Sequence, residues 1–175
     1  MENAPEESST GRLTRIGILA WLSMLGIDFL LHAGVLAGLY ASASPFLLAP
    51  SEAFRRIPLG YLTFLLITVL LMWLLRGTGT TGMRGGFAFG LKLGLLTWGA
   101  LLLGLASIST APPQLLLGWW IGQSIELGVA GAVAGRGLEA GSLKKLTLGV
   151  IGLMIVCVIL TVILQTTGLA PATKM

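Results

Sequence analysis

Asp28 and His32 stand four residues apart inside the apolar stretch from Ile16 to Tyr40. On a helix that spacing puts the carboxyl and the imidazole on one face. An ionised side chain at the middle of a membrane costs about 2.5–3.5 kcal/mol on the insertion scale, so such a pair needs a partner, a hydrated cavity or a task. Glu126 is a second acid within an apolar run, Gln123 shares its face three residues earlier, and Lys92 is a base in a third run. Acids and an imidazole at one depth would pass protons or hold a small ion along a hydrated path lined by Asp28, His32 and Glu126. A second reading is a ligand pocket, with Trp98, Trp119 and Gln123 beside the carboxylates. A third is a metal or haem site, but His32 is the single histidine and no H-x-x-x-H or E-x-x-H pair accompanies it. No metal and no cofactor are therefore expected. The plain structural reading is that these groups pin helix register or dock a larger partner.

Composition decides what must position them. Of 175 residues 55% are hydrophobic and 10% charged, against about 25% charged in soluble domains, and the mean hydropathy is +0.92. The chain reads as an all-α, polytopic membrane protein. Glycine makes up 25 of the 175 residues, about twice the usual ~7%, which in a membrane points to close helix–helix contacts. The net charge of +4 does not point to nucleic acid, because the basic residues sit at helix ends. An enzyme is not expected: there is no G-x-S-x-G and no metalloprotease motif, and Cys157 lies far in sequence from His32. The glycine-rich run from Arg76 to Arg84 lacks the lysine of a phosphate loop.

Residues 1–15 read as a polar tail, 16–169 as the membrane domain and 170–175 as a second tail. The expected spans are 16–40, 59–75, 85–107, 115–134 and 146–164, each near the length that crosses about 30 Å of hydrocarbon. The first carries twelve Leu, Ile, Phe and Val side chains, whose insertion energy outweighs the single Asp28. It is too long for a signal peptide, although Ala41 to Ala43 resembles a cleavage site. Residues 41–57 are expected as a loop holding a short interfacial turn capped by Ser51, with Pro58 at the start of the second span. Gly86, Gly90 and Gly94 recur at spacing four, a smooth stripe for another backbone, and Lys92 stands about 200° from it.

Five crossings with the N-terminus inside put Arg12, Arg15, Arg76, Arg84, Lys92, Arg136, Lys144 and Lys145 on the inner side. Arg55, Arg56 and Lys174 remain outside, so the count of eight to three favours N-inside, C-outside. Tyr40, Tyr61, Trp119 and Trp120 are expected at the outer interface, Trp21 and Trp73 at the inner one. At 1.5 Å per residue Asp28 lies about 18 Å from the inner boundary and Glu126 about 15 Å, with His32 about 6 Å beyond Asp28. The hairpin of the third and fourth spans makes Lys92 and Glu126 natural partners, or else Lys92 snorkels inward. Asp28 would pair with His32 or stay protonated. Arg55 and Arg56 would meet lipid headgroups or an anionic ligand. The expected setting is a bacterial cytoplasmic membrane, with lipid as partner and other subunits or further copies docking on glycine faces. The expected function is proton or small-solute handling, the alternative an accessory subunit without chemistry of its own.

Overall fold

Glycine periodicity, which the sequence displays most openly, organises the bundle. The computed structural model describes residues 9–41 and 45–171, with no strand among them. Its elements are α1 (Ser9–Leu30), a π-helical turn (Leu31–Val35), α2 (Ala37–Ala41), α3 (Pro50–Gly77), α4 (Met83–Ile108), α5 (Pro113–Glu139) and α6 (Lys144–Thr166). Four segments are long and apolar enough to cross a membrane: Ser9–Val35, Ser51–Gly77, Met83–Ile108 and Lys144–Thr166. Large apolar side chains such as Leu96, Leu103 and Trp73 stand at least 70% exposed around the bundle. Water would not tolerate that surface, and lipid does. The chain is an all-helical integral membrane protein.

The tightest contact is between α4 and α5. A Cβ on Gly86 would lie 2.0 Å from the Gly131 carbonyl oxygen, and one on Gly90 2.2 Å from that of Leu127. On Gly94 it would meet the Ser124 Cα at 2.7 Å. Here the backbones touch with no side chain between them. The opposite face of α5 receives the first span: Leu36 packs on Gly118 and Leu31 on Gly122. Helix α5 is thus held between α4 and α1. It is richer in small and polar residues than its neighbours because much of it borders protein rather than hydrocarbon.

One end of the bundle gathers the start of α1, the turn before α4 and the end of α5. Gly82, at φ +80°, donates its N–H to the Gly135 carbonyl at 2.9 Å. Arg12 reaches across to the end of α5, donating to the carbonyls of Gly137 at 3.0 Å, Gly141 at 3.1 Å and Ala140. A cation there satisfies terminal carbonyls and the negative end of the helix dipole.

Several expectations are corrected. The tail ends earlier, since α1 is already helical from Ser9, anchored by Arg12; residues 1–8 lie outside the described residues, as do most of the cleavage-like stretch and Lys174. The first span is not one α-helix but changes to a π turn at Leu31. Residues 50–57 are not loop. Pro50 occupies the helix start that Pro58 was expected to take, Ala49 rather than Ser51 is the N-cap, and Pro58 sits inside α3. Helix α5 extends to Glu139, where Arg136 bonds Glu139 at 2.8 Å. Because α3 starts early, Tyr61 lies well inside it and accepts the Trp21 indole N–H at 3.0 Å through its carbonyl. Those two aromatics share a level instead of marking opposite interfaces.

Gly90→Ala should overpack the α4–α5 contact by about 1–3 kcal/mol and lower the thermal unfolding midpoint in detergent. Gly149→Ala, where an added Cβ meets nothing within 4 Å, should leave that midpoint unchanged or raise it.

Candidate functional site

The stripe that brings Leu36 onto Gly118 and Leu31 onto Gly122 continues, four residues on, to Glu126. Opposite it on the first span is Asp28. One ligand atom from each of Asp28, His32 and Glu126 lies within 4.8 Å of each of the others. His32 Nε2 stands 3.2 Å from Asp28 Oδ1 and 3.3 Å from the Gln123 amide nitrogen. The pairing of Asp28 with His32 is therefore present, and Glu126 and Gln123 join it from α5.

The π turn sets the far side of the imidazole. In an uninterrupted α-helix Tyr40 would stand about 80° round from His32; the wider turn takes up that difference. The Tyr40 hydroxyl lies 2.5 Å from His32 Nδ1 and accepts the Trp119 indole N–H at 2.5 Å. Gln165 of α6 donates to the Ala33 carbonyl at 2.9 Å, giving a partner to a backbone group in the irregular turn. Tyr40 was expected only as an interface aromatic. Its place in the site was hidden because the sequence carries no sign of the π turn.

Glu126 is the anomaly. It is fully buried, yet neither carboxyl oxygen has a hydrogen-bond partner. The Gln123 Oε1 oxygen is likewise buried without one. A buried acid in that state must carry a proton or face a cation, because an isolated buried charge costs several kcal/mol even after relaxation. Among the described residues no lysine or arginine supplies the compensation. Lys92, expected either beside Glu126 or snorkelling inward, is exposed and makes no hydrogen bond to either Glu126 oxygen. The reason is rotational: Gly90 and Gly94 face α5, so Lys92 on the other side of α4 cannot. Arg55 and Arg56 are exposed in the first turns of α3, and Trp98 has a buried indole N–H without a partner on α4.

Two proton arrangements satisfy the imidazole. In one, Tyr40 donates to Nδ1, and the Nε2–H donates to Asp28, with the Gln123 amide oxygen turned toward the ring. In the other, Nε2 is bare and accepts from a protonated Asp28, while Nδ1–H donates to the Tyr40 oxygen. The second holds one more proton than the first. Tyr40 passes its proton to Nδ1 and takes another from a hydronium donor, while Nε2 gives its own to Asp28: the donor O–H, the Tyr40 O–H and the Nε2–H break, and a new Tyr40 O–H, the Nδ1–H and the Asp28 O–H form.

His32 is the only histidine, so ring-nitrogen NMR of 15N-histidine protein reports this site alone. Tyr40→Phe should shift the Nδ1 resonance, whereas Thr63→Val, on the exposed face of α3, should not. Comparison of the chain with protein-family models, curated proteins and solved structures gives no match.

Proposed function

We propose that this is a five-span membrane protein, N-terminus inside and C-terminus outside, that handles protons or other small cations at Asp28, His32 and Glu126. Helix α5, with 27 residues, is about 40 Å long and serves as the remaining crossing. The gathering of Arg12 and the Gly82 turn at the end of α5 agrees with α1, α3, α4 and α5 as four alternating passes that return the chain to the side of Arg12, leaving α6 as the fifth. The excess of Lys and Arg at that end supports its placement inside. Lys92 then snorkels to the headgroups, and Arg55 and Arg56 meet those of the outer leaflet.

The observation that carries the reading is the orphaned carboxyl of Glu126 beside Asp28. A group placed only to fix helix register would be expected to have a hydrogen-bond partner. This centre instead has buried acceptors in excess of donors. The accessory-subunit alternative drew on the glycine stripes and the lack of any motif; Gly86, Gly90, Gly131 and Gly135 are occupied within the chain, whereas a Cβ on Gly149 or Gly152 would meet nothing within 4 Å.

In vesicles reconstituted with the protein, a pH-sensitive dye inside should report proton entry under an imposed gradient. Asp28→Asn and Glu126→Gln, both near-isosteric, should reduce that rate at least about tenfold while remaining monodisperse. A wild-type rate no higher than that of empty vesicles, or unaltered rates in both variants, would overturn the proposal.

A further inference from the structure

The same site has the donor set of a metal centre. We infer that Asp28, His32 and Glu126 bind a divalent first-row transition cation, through two carboxylates and the imidazole Nε2. The inference rests on reading the cluster as a cation centre and names the class of cation.

Three observations converge on it. The three ligand atoms lie within 4.8 Å of one another, and two ligands on a tetrahedral ion at about 2.0–2.2 Å stand about 3.3–3.6 Å apart. Closing that difference takes a small rotation of a carboxyl, and Glu126 is tied to nothing that would resist it. Next, the unpartnered atoms here are oxygens: both of Glu126, and the Oε1 of Gln123, a side chain 7% exposed. Oxygens without donors are what a cation requires. Finally, the imidazole is already set for metal binding. A ligating histidine uses one nitrogen on the ion and donates the other N–H to an outer partner that fixes its tautomer. Tyr40 stands 2.5 Å from Nδ1 in that role, held in turn by Trp119.

Charge and donor type select the ion. Two carboxylates carry −2, so a divalent cation leaves the buried centre neutral and a monovalent one does not. The imidazole favours zinc, iron or their neighbours over calcium and magnesium, which take oxygen donors, six to eight of them for calcium. His32 and Asp28 remain 30% and 18% exposed at their side chains. Glu126 forms the closed floor.

The test uses the full chain in lipid nanodiscs, titrated with Co²⁺ alone and then displaced by Zn²⁺. The expected result is one Co²⁺ per chain, with visible absorption that Zn²⁺ abolishes. Glu126→Gln, Asp28→Asn and His32→Gln should each lose the absorption, and Glu52→Gln, an exposed acid on α3, should keep it. Tyr40→Phe should bind about tenfold more weakly. Monodisperse elution of each variant identifies those that fold. Absence of Co²⁺ binding in the wild type, or binding unchanged in the folded Glu126 and His32 variants, would overturn the inference. Proton flux without metal binding would sink the inference and leave the functional proposal standing. Metal binding without flux would sustain the inference and overturn proton passage as the function.

Discussion

Where Gly86, Gly90 and Gly94 meet Gly131, Leu127 and Ser124, no side chain separates the two backbones, and this contact sets the other distances in the bundle. In lipid there is no hydrophobic force between helices, so close packing and hydrogen bonds must hold them. Glycine on both surfaces lets α4 and α5 approach until carbonyl oxygens touch Cα atoms. That approach turns Lys92 outward and Glu126 toward the first span. The second glycine pair, Gly118 and Gly122, then admits Leu36 and Leu31, which brings Asp28 alongside Glu126.

The site inherits its character from this arrangement. A carboxyl that might have been neutralised by a lysine one helix away faces another carboxyl and an imidazole instead. Its oxygens remain without donors in a region where water does not reach them. The π turn at Leu31–Val35 adds a second consequence. It places Tyr40 under the imidazole, so a line of hydrogen-bonding groups runs from Trp119 through Tyr40 and His32 to Asp28. That line has two complete proton arrangements, and its inner end is where acceptors accumulate.

Much of this was readable from residue spacing. The i, i+4 relation joined Asp28 to His32, and the helical rise placed Glu126 near their depth. Period four marked the glycine stripe as a contact, and 200° of rotation already said that Lys92 leaves it. Pairing Lys92 with Glu126 failed because depth is an axial coordinate and says nothing of azimuth. The early start of α3 was hidden by Pro58, whose missing N–H makes it look like a helix beginning. With Pro50 in that place, Pro58 is tolerated in the interior, and Trp21 and Tyr61 come to one level.

By itself the sequence determined the class of molecule: apolar runs of membrane length, glycine faces and acids at similar depth follow from composition and period. Those properties belong to single helices, where the rise and twist per residue are constant. Only the tertiary structure decided how each helix is rotated about its own axis in the bundle, because that depends on which faces fit together. From that rotation come the meeting of Asp28, His32 and Glu126, the exclusion of Lys92, and the register change that recruits Tyr40.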